Sequence, residues 1–360
     1  MAELASIAVE SGRSIGRYFT VISLVPSLLF VLYIYGLLAA GALSGSFQPI
    51  RAVHAAERLS VIEIVALFLA ALLLGLILHP FQFSMTQFLE GYWGDKGVGR
   101  KAARRRILHY RSVVLGLDDD VANADGAWRR AAHHARQPPD PTAHGDLQVP
   151  DHSDEMWLDS WRGNRGLEDY WRAEAARAER DRYPLAARRM MPTRLGNVLR
   201  RYEDLAGRQY GLDIITVAPH LNLVAVKEHR DYVDDCRQGL DLGVRICVLF
   251  ALATVLSVGL LFDDGAWLLL AFAPYCVSYL AYRGAVSSAE DYGTALSHLV
   301  DLNRFALYDQ LHVPSPANSL VEKGRNERLV RLLSGEAIYV RYTDRSDASG
   351  ASGTDGSVPG

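Results

Sequence analysis

The sequence predicts an all-α fold: four transmembrane helices in two hairpins, with a mainly helical cytoplasmic insert between them and further helices after them. Three observations carry this reading. Tyr18 to Ile50 is a run of 33 uncharged residues, and a second run, Ile64 to Leu89, follows after a short polar gap. Two more, Ile246 to Phe262 and Gly265 to Tyr282, lie far downstream, separated only by Asp263 and Asp264. A bilayer core about 30 Å thick needs roughly 17–25 apolar helical residues, so each run is long enough to span.

Arg13 and Arg17 precede the first run, and Ala40-Gly41-Ala42 resembles a leader-peptidase site. The apolar stretch Phe19 to Leu43 is longer than the 7–15 residues of a cleaved leader, so it is expected to stay as a membrane helix. Ala66/Ala70, Ala71/Gly75 and Gly41/Gly45 are small residues at i, i+4, which let helices approach closely in lipid. Pro26 and Pro274 are expected to bend their helices.

Orientation follows from the basic residues beside the spans. Lys96, Arg100, Lys101 and Arg104 to Arg106 follow the second span, Lys227, Arg230, Arg237 and Arg245 precede the third, and Arg283 follows the fourth. Arg51 and Arg58 lie in the first short loop, and the Asp-Asp-Gly turn has no base. Both termini and the insert are therefore expected in the cytoplasm of a multi-pass cell-membrane protein. The expected organisation is a cytoplasmic N-terminus (1–16), a first transmembrane hairpin (17–82) and an insert (83–242, flexible over 137–154). A second hairpin (243–283), a cytoplasmic helical region (284–342) and a disordered tail (343–360) complete it.

Within the insert, Lys101 to Leu115 and Leu167 to Tyr183 read as helices, the latter ended by Pro184. Another begins at Pro192-Thr193, with Leu195, Val198, Leu199, Tyr202 and Leu205 on one face and Gly207 as its stop. Asp213 to Val217, rich in β-branched residues, reads as a short strand. Downstream, Ala285, Ala289, Tyr292, Leu296 and Leu299 extend the fourth helix toward Leu311. Pro314 and Pro316 stop it, and a last helix covers Leu320 to Leu333. The stripe after Arg283 is expected to pack on the Leu195 helix.

Composition narrows the function. The net charge of −3 gives no basic excess of the kind that binds nucleic acid. Cys236, Cys247 and Cys276 are too few and scattered for a disulfide framework or a zinc site. Gly91, Gly94, Gly97 and Gly99 lack the strand and the G-K-[ST] of a phosphate loop. His133, His134, His144 and His152, with Asp151, Asp154 and Glu155, match no zinc spacing. Arg194, Arg200 and Arg201, beside Glu203 and Asp204, read as a solvated face with intrahelical pairs. The spans carry no charge at mid-membrane, which disfavours a proton-coupled transporter. No catalytic residue, metal ligand or cofactor is assigned.

The one specific binding candidate is the basic cluster Arg100, Lys101, Arg104, Arg105 and Arg106, placed to meet anionic lipid headgroups. A non-enzymatic membrane-anchored interaction or scaffold module is the first functional expectation. An oligomeric channel or passive transporter is the alternative. The expected partners are the bilayer, an unidentified protein and further copies of the chain.

Two blocks look familiar. His79-Pro80-Phe81-Gln82-Phe83 running into Leu89-Glu90-Gly91-Tyr92-Trp93-Gly94, and Pro192-Thr193-Arg194-Leu195-Gly196-Asn197 running into Tyr210-Gly211-Leu212-Asp213, resemble segments of uncharacterised multi-span membrane proteins of high-GC Gram-positive bacteria. The resemblance runs from the second helix to about Pro316. It implies a membrane setting and carries no activity.

Overall fold

A computed structural model describes residues 19–43, 47–94, 96–135 and 164–342, and every regular element among them is helical. The N-terminal segment, the 137–154 loop and the tail expected from the sequence fall outside the described residues, as does Gly45. The chain divides into two compact units, one of residues up to Tyr92 together with Tyr202 onward, the other Trp93–Arg201.

In the first unit, a π-helical turn, Phe19–Leu24, leads into α1, Val25–Ala39. Pro26 stands in the first turn of α1, where a missing N–H costs little, so it marks the change of helical type. The left-handed φ of 88° at Gly41 ends the helix, so Gly41 serves as a terminator and not as a packing residue. A short amphipathic helix, α2 (Pro49–Glu57), fills the loop that the sequence left unassigned. Next comes α3, Val61–Leu78, opened by a capping box: Ser60 Oγ accepts the Glu63 N–H, and Glu63 Oε2 accepts the Ser60 N–H. Pro80 breaks this long span with a 3-10 turn, His79–Phe81, before α4, Gln82–Glu90.

The second pair is built from α9 (Lys227–Leu260), a 3-10 stretch (Gly265–Ala271) and α10 (Phe272–Gln310). Pro274 also sits in a first turn, that of α10, in place of the expected bend. Four helices are long and apolar enough to cross a membrane, and the described residues thus form a multi-span, all-α integral membrane protein.

Small residues set the spacing of these helices. Ala71 and Gly75 of α3 are buried, and a Cβ at Gly75 would lie 3.1 Å from the Ser23 carbonyl oxygen. Ala66 and Ala70 are exposed. A second close approach is between α9 and α10, where a Cβ on Gly243 would lie 3.0 Å from Ala285 Cβ. Gly239 and Gly243 form the G-x-x-x-G pair that the sequence reading passed over. Between spans, Tyr33 and Ser257 hydroxyls bond at 2.8 Å, and Ser278 Oγ donates to the Cys247 carbonyl at 2.8 Å. The turns of both hairpins meet at one end: the Phe47 N–H donates to Asp264 Oδ1 at 3.2 Å, and Phe47 stacks against Trp267 at 5.3 Å. Both hairpins therefore run in the same sense.

Beyond Tyr282, α10 continues as one helix and carries a second, non-membrane core. Ala206, Leu212, Val217, Leu221 and Val233 bury against Ala295, Leu299, Val300 and Leu307 of α10. The Asp213–Val217 segment, expected as a strand, starts the helix α8, Ile214–Val224. Asp213 is the reason: its carboxylate accepts the Thr216 N–H at 3.1 Å and the Thr216 hydroxyl at 2.6 Å, a side-chain cap that outweighs β-branched propensity. The last helix, α11 (Ser319–Leu333), is capped by Asn318.

The second unit holds α5 (Gly97–Ala135), α6 (Asn164–Arg180) and the start of α7 (Arg194–Leu205). The hydroxyl of Thr193 accepts the Gly196 N–H at 3.0 Å, and Gly207, with a φ of 78°, stops α7 as its sequence foretold. The expected packing of the α7 stripe on the post-membrane helix is seen for Tyr202, whose ring lies against Gly293 of α10.

Candidate functional site

Three polar arrangements stand out, and the sequence anticipated only one. At the non-turn end of the membrane bundle, Gln82 of α4 faces Asp241 and Arg245 of α9, all buried, with Arg245 0% exposed. The Gln82 amide donates to the Asp241 carbonyl oxygen at 3.0 Å and to its Oδ1 at 3.3 Å. Its oxygen accepts Arg245 Nε at 3.0 Å. Half-exposed Arg237 stands 4.0 Å from Asp241 Oδ2, one helical turn back. A single amide thus serves an acid and a base across two helices. The sequence reading counted Arg245 only as a topology charge. Asp241 and Arg245 at i, i+4 just ahead of the apolar run are the signal it contained, but Gln82, 163 residues from Arg245, gave none.

The second arrangement locks α11 to α10. Glu322 Oε1 accepts Arg304 Nε and the Tyr308 hydroxyl, each at 3.0 Å. Asn326 Nδ2 donates to the Tyr308 oxygen at 2.6 Å and to the Tyr210 carbonyl at 2.9 Å. The Arg304 guanidinium also lies over the Tyr210 ring at 4.1 Å. Burial, more than the neighbouring carboxylate, holds the Tyr308 phenol well above its ordinary range, so it stays a donor. Every contact in this group is internal, as expected of a structural clamp.

The third is the predicted basic cluster. It opens α5, which among the described residues follows α4 directly in the chain. Arg100, Lys101, Arg104, Arg105 and Arg106 are all exposed, yet they do not act alike. Arg106 turns toward the packed side, donating to the Tyr110 hydroxyl at 2.9 Å and lying 5.1 Å from that ring. Tyr110 and Val114 bury against Tyr183 and Met190. Burial, with the adjacent Glu179 charge, pushes the Tyr183 phenol up to about 12. Arg180 of α6 pairs with Asp118 at 2.9 Å. The bases around α7 are engaged likewise: Arg194 bonds both Glu179 oxygens at 2.7 Å, and Arg201 pairs with Asp181. These two pairs reach acids outside α7, and Arg194 and Arg201 are only partly exposed, so they differ from the intrahelical pairs on a solvated face that the sequence predicts.

Among the described residues no three His, Cys, Asp or Glu gather in a metal-binding group. Of the histidine set, the side chains of His133 and His134 and the whole of His144 and His152 lie outside the described residues, with Asp151, Asp154 and Glu155. Gly94 and Gly97 adopt left-handed φ values of 83° and 67°, and Gly97 is the first residue of α5. Comparison with family models, curated proteins and solved structures returns no match.

Proposed function

We propose that the protein is a non-enzymatic, multi-pass module of the cell membrane that presents helical surfaces to partners in the cytoplasm. The observation that carries this reading is the continuity of α10. One helix passes from the apolar segment into the Ala295–Leu307 core, packs with α8, and holds α11 through Arg304 and Tyr308 on Glu322. Such a helix holds the core at a fixed place beside the membrane, which suits a docking platform.

The excess of Lys and Arg on the insert side supports a cytoplasmic insert and cytoplasmic termini. In this reading residues 17–82 and 243–283 are the membrane hairpins, and 83–242 with 284–342 make the cytoplasmic part. The two motif blocks noted above keep the resemblance to multi-span proteins of high-GC Gram-positive bacteria as the setting of the proposal.

The test is in-cell crosslinking of the full chain, followed by purification from native membranes and mapping of the crosslinks. The proposal expects a partner protein attached at residues 202–240 or 284–340, and no conductance from the purified protein in planar bilayers. A ring-shaped homo-oligomer that conducts ions would establish the channel reading in its place.

A further inference from the structure

The outward face of α5 is not simply basic. With 3.6 residues per turn, Val98, Arg100, Lys101, Arg104, Arg105, Leu108, Ser112 and Leu115 fall within roughly 160° of the helix surface. All are exposed, and the apolar members strongly so: Val98 83%, Leu108 53% and Leu115 65%. The opposite face is the one occupied by Tyr110 and Val114 in their packing with Tyr183 and Met190. Four bases are thus interleaved with three large apolar side chains on a face that nothing in the second unit covers.

An Arg–Leu face of this kind matches a layer with negative charge outside and hydrocarbon a few ångströms beneath, which is the headgroup boundary of an anionic bilayer. Two further features fix that occupant. The chain between Glu90 and Gly97 is six residues, 91–96, so α5 must begin within about 25 Å of the end of α4 even when fully extended. Its first turn is therefore tethered by a short chain segment to a helix that follows a membrane span. The charge also changes sign along the helix, with exposed Asp118, Asp119 and Asp120 following Leu115. Those acids would be repelled by anionic lipid, which limits the adhering segment to Val98 through Leu115.

We infer that this segment is an interfacial helix that lies in the headgroup layer of an anionic leaflet, with Leu108, Leu115 and Val98 immersed and Arg100, Lys101, Arg104 and Arg105 on phosphates. Arg106 is outside the contact, because it is turned to Tyr110. This deepens the module reading by naming anionic phospholipid as one partner. It rests on that reading only in taking the second unit to work beside a membrane.

The test uses the full chain in lipid nanodiscs with Cys236, Cys247 and Cys276 replaced by Ser, and an environment-sensitive fluorophore on Ser112→Cys within the face. In discs of phosphatidylcholine with phosphatidylglycerol, the probe should shift to the blue and be quenched by lipids carrying a quencher near the headgroup. In phosphatidylcholine alone it should report water. Each lost base should lower the docked-to-undocked ratio about fivefold, so Arg104→Gln with Arg105→Gln should lower it roughly 25-fold. Raising salt to 1 M should act in the same direction. Leu108→Asp with Leu115→Asp should abolish the shift, and Arg106→Gln should leave it unchanged.

A probe that stays in water in both lipids overturns the inference, as does one quenched equally in both. A blue-shifted probe that lipid quenchers do not reach means that a second copy of the chain covers the face, and also overturns it. Both disc surfaces carry the same lipid, so the outcome does not depend on which side of a cell membrane holds the helix. The module reading is judged separately, by the crosslinks and the conductance.

Discussion

Replacing Gln82 by Leu should lower the stability of the membrane bundle by about 2–4 kcal/mol, because it withdraws from two buried charged groups the amide that serves both. The change adds apolar volume at the lipid boundary, so hydrophobicity alone predicts no loss. The electrostatic account predicts the opposite sign. Asp241 and Arg245 sit where α4 and α9 meet, and water is not at hand there to replace the lost bonds. Reversible unfolding of the purified protein by SDS titration in mixed micelles gives the difference, with exposed Ser84→Leu as the control. An unchanged midpoint for Gln82→Leu would mean that the amide is dispensable, and α4 would then be held by apolar contact alone.

Gly243→Leu should have an effect of similar size, about 3 kcal/mol or more, through sterics. A Cβ there would meet Ala285 Cβ at 3.0 Å, with the Ala285 Cα and N at 3.1 Å. Two of those atoms are backbone in the middle of a continuous helix, so no rotamer change relieves the clash and α9 must move away from α10. Gly259 lies on the same helix with nothing within 4 Å of an added Cβ. Gly259→Ala should be neutral or slightly stabilising, by up to about 1 kcal/mol from helix propensity. Equal effects at the two glycines would show that backbone flexibility, and not close packing, is what Gly243 provides.

The parts of this fold that one segment dictates by itself were legible. The four spans follow from length and hydropathy, and the Gly207 stop and the run of α10 past Tyr282 follow from local chemistry, whereas α6 ends at Arg180, short of the Tyr183 end expected ahead of Pro184. What depends on a distant partner or on a single competing bond was not. Asp213 turned an apparent strand into α8 through one cap. Pro80 split the second span with a 3-10 turn, and α2 formed in a loop too short to show a clear period.

The candidate site divides in the same way. The basic cluster was visible as a run of letters, but the separation of Arg106 from its neighbours required the position of Tyr110, and the exposure of Leu108 and Leu115 required knowing which face α6 covers. The Gln82–Asp241–Arg245 junction joins residues about 160 positions apart, and no local pattern reports that.

The most direct test of the account is the sidedness of the chain. Both hairpin turns gather at one end, through Phe47, Asp264 and Trp267, so a single determination at each loop orients the whole bundle. Paired reporters, one active only in the cytoplasm and one only outside it, should be fused after Asp140, after Gly350 and after Phe47. The account predicts a cytoplasmic signal at Asp140 and Gly350 and an external signal at Phe47. An external signal at Asp140 with a cytoplasmic one at Phe47 would contradict it, and would put the helical surfaces described above on the wrong side of the membrane for a cytoplasmic partner.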